Sequence, residues 1–425
     1  MAQQVIQRLK GTADIFSPEA ERWQWIEECT RHFFEAYGFG EVRTPLIEPL
    51  ELFVRSVGEG SDIVHKQMYA FEDRGGRQIA LRPEMTASVA RCAIENGLLR
   101  KEKTLRFFYQ GPMFRAERPQ KGRQRQFHQL GAEILNAKPV EADIEILLLI
   151  DGLFRSLKIS GFTIRVNHLG CADDRGSFQE KLRDYFSGTR DALCEDCRFR
   201  TDRNVLRVLD CKMPSCQPLI EKAPAIRLCP RCEDEYGKIR DELKARNIEI
   251  QCLPRLVRGL DYYTGLVFEV NGGGALGAQD AIAAGGRYDE LIRSLGGNDA
   301  GAVGFAAGVE RILLAQGESQ CPGEDDVYAA ILDRNFETER YYGEVIDKLY
   351  KIGRRVRRDV SAKTLRDHFA KAEKTGVRYM LILGEKEVKT RSVTVKDLKS
   401  KSQKELSWEE WPVFLTREFL KGEVK

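Results

Sequence analysis

The chain has 425 residues and a mass of 48.4 kDa, which at roughly 150 residues per domain predicts two or three domains. Hydrophobic residues make up 42% and charged residues 31%, so a sizeable core can form and the chain is expected to be globular. Its 68 Lys/Arg and 65 Asp/Glu give a net charge of +3, which excludes a uniformly basic nucleic-acid coat and a disordered acidic tail.

The distribution of apolar residues and cysteines excludes two further classes of protein. The longest apolar run, Ile144–Ile150, is interrupted by Glu145 and is far shorter than the ~18 to 20 residues of a membrane span. Residues 1–10 lack the charged-then-apolar pattern of a secretion signal, so we expect a cytoplasmic protein. Its eleven cysteines are then not expected to form a disulfide framework.

The first 170 residues mix helical and strand patterns. Ser17 as N-cap, Pro18 in the first turn and Gly38 as a stop predict a helix from Pro18 to Tyr37. The next predicted elements are the strands Met68–Phe71 and Gln78–Leu81 around a hairpin turn, the strands Leu105–Tyr109 and Phe127–Leu135, and the helix Glu141–Leu157. Hairpin strands with helices to one side predict an antiparallel sheet of the α+β class.

The chain changes character twice beyond this block. Residues 171–247 are charged and rich in cysteine, and they read as an insertion between two sheet-like blocks. Residues 316–326 are polar with Gly and Pro, which predicts a linker and two domains, 1–325 and 326–425. In the second domain the pattern alternates between strand and helix, which predicts a small α/β domain: Val327–Leu332, Phe336–Lys351, Leu365–Thr375 and Tyr379–Leu383.

The basic residues are concentrated in that second domain. Residues 326–425 carry 23 Lys/Arg and 17 Asp/Glu, a net of +6, so the other 325 residues have a net of −3. Residues 351–404 alone hold 17 basic and 6 acidic residues, a net of +11. A solvated helical face is one explanation of such a run, but this charge density favours a polyanionic partner.

The segment 111–133 reads as strand, polar loop and strand, and it concentrates arginine. Arg115 shares one strand face with Glu117, and Gln129 shares one with Glu133, because side chains alternate along a strand. Several guanidinium groups can hold phosphates, and a nearby carboxylate can hold a cation or an amine. A surface hairpin with solvated arginines is the alternative. No strand–Gly-rich–Lys phosphate loop occurs, so arginines would have to bind any nucleotide phosphates.

These segments resemble a known family, the bacterial histidyl-tRNA synthetases, which are class II aminoacyl-tRNA synthetases. The matching segments are Thr44-Pro45 (motif 1, the dimer interface), Leu81–Ala87 (LRPEMTA), Phe114–Gln129 (motif 2), Leu256–Tyr263 (LVRGLDYY), Ala284–Asp289 (AGGRYD) and Gly304–Arg311 (motif 3). The resemblance implies a class II antiparallel sheet with flanking helices, a helical cysteine-rich insertion and a C-terminal α/β anticodon-binding domain.

The resemblance also implies a function: ATP-dependent activation of histidine to histidyl-adenylate and its transfer to tRNA(His), by a homodimer that uses Mg²⁺ with ATP. Arg258 would be a catalytic cation, and Arg115 would contact the α-phosphate. The remaining implied roles are ATP binding for Glu117, Arg123 and Arg311, binding of the histidine α-amino group for Glu84, Thr86 and Gln129, and reading of the imidazole for Glu133, Tyr262 and Tyr263. Met85, where many relatives have Gly, would also line the histidine site.

Elementary chemistry agrees with these implied roles. Attack of a carboxylate on the α-phosphate spreads negative charge over phosphoryl oxygens, which fixed arginines stabilise. A neutral imidazole offers one donor and one acceptor, which a tyrosine hydroxyl and a carboxylate can satisfy. Amino acids without the ring nitrogens would leave those groups unpaired and be rejected.

The cysteine cluster predicts a structural zinc site. Cys194 and Cys197, and Cys229 and Cys232, form two C-x2-C pairs that are together typical of tetrahedral zinc with thiolate ligands. Cys211 and Cys216 lie between the pairs, so which four of the six would bind stays open. Buried free thiols are the alternative.

Two other functions share part of this pattern. Synthetase-like regulatory subunits of histidine biosynthesis typically lack the tRNA-binding domain and the motif arginines, whereas this chain keeps Arg115, Arg258 and Arg311 and a basic final hundred residues. Prolyl, threonyl or glycyl synthetases share the three general motifs but give no reason for LVRGLDYY.

Overall fold

The structure is a computed structural model that describes residues 5–58, 61, 63–272, 280–317, 327–362 and 364–423. It divides into two units, Met1–Ser319 and Gln320–Lys425, each with its own sheet and hydrophobic core. The predicted boundary after residue 325 and most of the predicted linker lie outside the described residues, so that boundary stays a prediction. Among the described residues no helix is long and apolar enough to cross a membrane.

The first unit is built on an eight-stranded sheet with the order β1-β5-β6-β11-β10-β9-β7-β8. Its six central strands are antiparallel, and β1 and β8 pair in parallel at the two edges, which confirms the predicted α+β class. A separate small antiparallel sheet has the order β2-β4-β3, and its strands come between β1 and β5 in the sequence. The strands are β1 (Gly40–Glu41), β2 (Ile47–Pro49), β3 (Tyr69–Glu72), β4 (Gln78–Leu81), β5 (Leu105–Phe114), β6 (Gln126–Leu135), β7 (Thr163–His168), β8 (Ile250–Cys252), β9 (Thr264–Asn271), β10 (Ala281–Arg287) and β11 (Ala302–Gly308).

The helices of the first unit pack on both faces of this sheet, and on the second face they cover only a part of it. They are α1 (Glu19–Ala36), α2 (Leu50–Val57), α3 (Thr86–Glu95), α4 (Leu98–Lys101), α5 (Glu141–Ser156), α6 (Ala172–Ser187), α7 (Glu195–Arg203), α8 (Gln217–Lys222), α9 (Pro230–Ala245), α10 (Leu291–Ser294) and α11 (Val309–Gln316). The predicted N-cap of α1 is wrong: Pro18 occupies that position, and the Ser17 hydroxyl instead donates to the Glu21 carboxylate over 2.7 Å.

The alternation along each central strand separates a core face from an open face. Leu130, Ala132 and Ile134 of β6 pack with the apolar faces of α1, α5, α9 and α11 in one large cluster. Gln129 and Glu133 therefore point to the other side of the sheet, because side chains alternate along a strand. That other side holds the site.

The insertion is a long crossover between two paired strands. The chain leaves the sheet after β7, forms α6 to α9, and returns as β8, which pairs in parallel with β7. Parallel neighbours need such a crossover, and here the crossover has its own buried cluster around Phe178, Leu182 and Phe186. The predicted helical cysteine-rich insertion is thus present.

The second unit is a five-stranded sheet with the order β13-β12-β14-β15-β16, with helices packed on it. The pairs of β12 with β13 and β14 are parallel and the others are antiparallel, which confirms the predicted α/β character. Its elements are β12 (Val327–Ile331), α12 (Phe336–Lys351), β13 (Val356–Arg357), α13 (Leu365–Thr375), β14 (Tyr379–Leu383), α14 (Glu385–Thr390), β15 (Ser392–Asp397), β16 (Gln403–Ser407) and α15 (Glu410–Glu423). Basic side chains of this unit lie over aromatic rings: Lys348 and Arg391 both lie over the Trp408 ring.

The core beneath the large sheet can be tested at Phe34 of α1. Its fully buried ring stacks on Phe108 at 5.4 Å and lies 6.2 Å from Phe305. We expect Phe34→Ala to lower the free energy of unfolding of the first unit by about 3 to 5 kcal/mol, because it leaves a cavity. Phe16, whose side chain is 73% exposed, is the matched control, and Phe16→Ala should change urea unfolding little. Equal losses in the two variants would contradict this packing.

Candidate active site

The open face of the sheet is floored by small residues. Gly304 and Ala306 of β11 lie opposite Glu133 and Gly131 of β6, so the strands present almost no side-chain bulk there. A Cβ on Gly304 would lie 1.6 Å from a Glu133 carboxylate oxygen, and a Cβ on Gly131 would lie 2.3 Å from the Phe305 carbonyl oxygen. Only glycine fits at either position, because other atoms already fill the space where a Cβ would lie.

Glu133 lies at the centre of a group of polar side chains on this face, the polar pocket. It is fully buried, and its carboxylate accepts hydrogen bonds from the hydroxyls of Thr86 (2.7 Å), Tyr109 (3.3 Å) and Tyr288. Burial raises the pKa of Glu133 to about 8, although the hydrogen bonds from Tyr288 and Thr86 oppose that rise. Near neutral pH this carboxyl can therefore be neutral or ionised, and it can donate or accept a hydrogen bond.

A second buried carboxylate lies at the start of α3. Glu84 accepts the backbone N–H groups of Thr86 at 2.7 Å and Ala87 at 3.0 Å, and burial raises the pKa of Glu84. The amide oxygen of Gln129 is buried and has no hydrogen-bond partner among the described residues. Together these groups offer acceptors for a cationic amine. Met85 between them is buried, and the Thr44 hydroxyl contacts its sulfur at 3.4 Å.

Two neighbouring tyrosines close another side of the pocket. The Tyr262 ring lies 4.7 Å from the Tyr263 ring and 5.5 Å from the Tyr288 ring. Burial raises the pKa of Tyr262 and of Tyr263, so both phenols stay protonated donors. The Tyr263 backbone carbonyl accepts a hydrogen bond from Arg175 of α6 over 3.0 Å, which ties this loop to the insertion.

Three arginines gather around the loop between β5 and β6. The Arg115 Nε donates to the Pro83 carbonyl at 3.0 Å, and its guanidinium lies 5.1 Å from the Phe127 ring centre. Arg123 pairs with Glu117 at 3.3 Å, and the Arg311 Nε donates to the Gly122 carbonyl at 3.0 Å.

The charges of these arginines act on one another. Burial, and then the positive charges of Arg123 and Arg115, lower the pKa of Arg311. Mutual repulsion of this kind marks a site prepared for an anion.

Arg258 stands on the other flank of the same face. Its Nη1 lies 2.7 Å from a carboxylate oxygen of Glu269, which also accepts from Asn271 at 3.0 Å. Burial works to lower the pKa of Arg258, but Glu269, Tyr263 and Asp210 together outweigh it, and the pKa ends above its ordinary value. Arg258 is therefore a fixed cation whose orientation is set by Glu269.

A cavity of about 300 Å³ adjoins Arg258 and Tyr263 on the insertion side. Besides Arg258 and Tyr263, its lining includes Arg175, Arg183 and Arg203 of the insertion. The open face is thus bordered by the insertion, with positive side chains along that border.

The structure brings the residues that are predicted to bind histidine and ATP to one face of the sheet and to the loops that border it. Their individual roles stay predictions. Three contributors were missed: Tyr109, Tyr288 and Glu269. Tyr288 lies within the AGGRYD segment, and Glu269 is an acid in an otherwise apolar strand. An acid at such a position could have pointed to a site facing one side of the sheet, whereas Tyr109 shows no such pattern.

The structure places the two C-x2-C pairs of the predicted zinc site in separate clusters. Cys194 and Cys197 cluster with Cys211 and Cys216, whereas Cys229 and Cys232 cluster with Cys171 and Asp174. In each cluster the ligand atoms lie within 4.8 Å of one another. Each C-x2-C pair begins a different helix, so spacing in sequence did not show which pairs meet.

Comparisons with known proteins agree in the family that they name. A family model for histidyl-tRNA synthetase matches residues 11–174 and 220–312, and one for an anticodon binding domain matches residues 326–418. A histidine–tRNA ligase of Thermotoga maritima is 43% identical over 405 residues, which cover 94% of this chain and 95% of that protein.

Two solved structures are also similar. The structure of apo Staphylococcus aureus histidyl-tRNA synthetase has a TM-score of 0.75 and 27% identity, and covers 97% of this chain and 100% of its own. A chain from Bacillus halodurans C, titled as an ATP phosphoribosyltransferase regulatory subunit/histidyl-tRNA synthetase, has a TM-score of 0.64 at 21% identity, covers 90% of this chain and 99% of its own, and shows the fold alone.

The raised pKa of Glu133 predicts a pH dependence of stability. Since the folded-state pKa of about 8 exceeds the ordinary value of 4.5, the stabilisation is complete below pH 4.5 and is lost as the pH rises through about 8. We expect the free energy of unfolding to fall between pH 5 and pH 9 in the wild type, and to fall less in Glu133→Gln. Urea unfolding across that range measures the difference, with the exposed Glu102→Gln as control. Parallel profiles for wild type and Glu133→Gln would refute the assignment.

Proposed function

The chain belongs to the histidyl-tRNA synthetase family of class II enzymes, and from this premise we propose how it charges tRNA(His) with histidine. Histidine and ATP give histidyl-adenylate and pyrophosphate. The histidyl group then passes to the terminal ribose of tRNA(His), and AMP is released. The observation that carries the proposal is the juxtaposition, on one face of the sheet, of a polar pocket around Glu133 and a cluster of half-buried arginines.

In this proposal the arginines carry the adenylation step. The histidine carboxylate is already ionised and needs no general base, so catalysis consists of positioning and charge stabilisation. Arg115 and Arg258 approach the α-phosphate from opposite flanks, while Arg123 and Arg311 hold the outer phosphates. Their guanidiniums are held by backbone carbonyls or carboxylates, so little reorganisation is needed as negative charge develops. Mg²⁺ bound to the ATP phosphates would offset part of their negative charge.

Histidine is recognised by complementary polar groups. Glu84 and Gln129 accept from the α-amino group, and Glu133 and Tyr263 pair with the two imidazole nitrogens. Tyr109, Tyr288 and Thr86 hold the Glu133 carboxylate in place for that contact. An amino acid without ring nitrogens leaves the Glu133 and Tyr263 groups that face the imidazole without that partner, which costs about 1 to 3 kcal/mol or more.

A non-catalytic regulatory subunit is the second candidate, favoured only by the fold shared with the chain from Bacillus halodurans C. Two observations speak against it. Arg115, Arg258 and Arg311 are present and ordered on the site face, and residues 326–418 match an anticodon binding domain.

The partners follow from the same proposal. The second unit, with the +11 segment 351–404, binds the anticodon region of tRNA(His). We further propose that the protein works as a homodimer, with residues 1–325 as catalytic domain and 326–425 as anticodon-binding domain, in the cytoplasm, where tRNA is charged.

A structural zinc ion belongs to the proposal as well. Cys194, Cys197, Cys211 and Cys216 bring four thiols together, and the sulfur atoms of Cys194 and Cys211 lie 3.8 Å apart. Zinc–thiolate bonds of about 2.3 Å in a tetrahedron place the sulfurs ~3.8 Å apart, so this spacing fits a zinc ion.

Histidine-dependent ATP–pyrophosphate exchange tests the enzyme and the role of Arg258 together. Wild type should exchange with histidine and not with proline, threonine or glycine. Arg258→Ala should lose roughly 100- to 1000-fold in exchange rate, because a preorganised cation at the α-phosphate is removed. The exposed Arg74→Ala is the matched control and should keep the wild-type rate. Absence of exchange in wild type would contradict the proposed enzyme activity. Near-normal exchange by Arg258→Ala would contradict only the role assigned to Arg258.

The two units predict different salt responses. Raising KCl from about 50 to 200 mM should increase the KM for tRNA(His) roughly tenfold or more, because binding at the basic second unit releases counterions. Exchange without tRNA should change much less, since the arginines of the site are largely buried and weakly screened. A tRNA KM that does not depend on salt would contradict the electrostatic part of the proposal.

A further inference from the structure

We propose that the root of the insertion is a second metal site, in which Cys171, Cys229 and Cys232 with Asp174 hold one zinc ion. This site is separate from the four-thiol cluster and goes beyond the proposed function. Its four ligand atoms lie within 4.8 Å of one another. Three thiolates and a carboxylate are a donor set that suits zinc and suits Mg²⁺ or Ca²⁺ poorly.

The site is built by two helix starts that face each other. Cys171 is the N-cap of α6 with Asp174 three residues on, and Cys229 is the N-cap of α9 with Cys232 three residues on. Side chains at the N-cap and three residues later both point beyond the first turn of a helix, so each pair presents two ligands to the same point. The positive ends of both helices favour thiolates and a carboxylate there.

Other contacts of these residues support a preorganised, anionic site. The backbone N–H of Cys229 donates to both Asp174 oxygens, at 3.1 and 3.2 Å, which joins the two helix starts. A Cβ on Gly170 would lie 2.3 Å from the Asp174 Cβ, so the turn that brings the ligands together needs glycine. Arg231 acts on Cys171 and Cys232 electrostatically, so it would offset part of the negative charge of the complex.

The position of the site indicates that the ion would stabilise the base of the insertion. It lies where the chain leaves the sheet after β7, and α9 leads back to the sheet at β8. A metal bound by residues from both helices would therefore close the insertion at its base. The four-thiol cluster holds residues 194–216 and so stabilises only the outer part of the insertion.

Closing the base also positions Arg175, the residue that follows Asp174. Arg175 donates to the Tyr263 carbonyl at 3.0 Å and to the Glu290 carboxylate at 3.1 and 3.2 Å. Tyr263 belongs to the loop that reads the imidazole in the proposed function. The ion would thus hold Arg175, and through it that loop, and Arg175 is a positioning residue.

Metal content per chain is the primary test, and it does not depend on activity. The full chain, purified anaerobically and analysed by mass spectrometry of the metal, should hold two zinc ions. Cys197→Ser and Cys229→Ser should each lose one, the double variant both, and the exposed Cys252→Ser neither. One zinc in wild type that Cys229→Ser retains would overturn the second site.

A ligand exchange keeps the test decisive if Cys229→Ser does not fold. Asp174→Ala should lose the second zinc, whereas Asp174→Cys should keep it as a four-thiolate site. Cobalt in the Cys197→Ser background should show tetrahedral absorption with thiolate bands, which intensify in Asp174→Cys. Retained zinc in Asp174→Ala would remove Asp174 as a ligand, and missing thiolate bands would overturn the site.

Kinetics test the positioning of the loop. Asp174→Ala should raise the KM for histidine between about tenfold and 100-fold in the exchange assay, with the KM for ATP nearly unchanged. Asp174→Cys should restore it. A normal histidine KM in zinc-free Asp174→Ala would overturn the positioning role, and a failure of wild type to exchange would leave the metal result standing by itself.

Discussion

A carboxylate buried in the middle of an antiparallel sheet constrains everything around it. Glu133 lies on β6 opposite Gly304, and no other residue fits there because a Cβ would overlap the carboxylate. The buried carboxyl group needs hydrogen-bond partners, and three hydroxyls on β5, α3 and the end of β10 supply them. The Glu133 carboxyl group therefore contacts three segments: motif 3, the start of α3 and the AGGRYD segment. Together they form the pocket for a polar ring.

The cations on the same face are fixed by different means than the carboxylate. The Arg115 and Arg311 guanidiniums donate to backbone carbonyls, and Arg258 is oriented by Glu269. Backbone acceptors carry no full charge, so they leave the positive charge of Arg311 for an anionic substrate, whereas Arg115 also lies 3.9 Å from the Glu117 carboxylate. This division explains how one face can hold a neutral-to-acidic pocket beside a strongly cationic one.

The insertion adds to the first unit a module with its own buried apolar cluster. It also brings together two separate groups of side chains that are able to hold a metal ion. The one at the base connects through Arg175 to the Tyr263 loop. The insertion therefore contacts a loop of the site, whereas its sequence predicted only a structural zinc site.

The sequence by itself determined the family and several of the elements, and it predicted site residues that the structure brings to one face. Periodicity and turn residues predicted α12, α13 and β14 at the bounds observed, because local pattern decides local structure. Tertiary structure alone decided the partners. Tyr288 reaches Glu133 across 155 residues, and Cys229 meets Asp174 rather than Cys194. Such pairs depend on strand register and on which helix starts face each other, and neither leaves a signal in residue spacing.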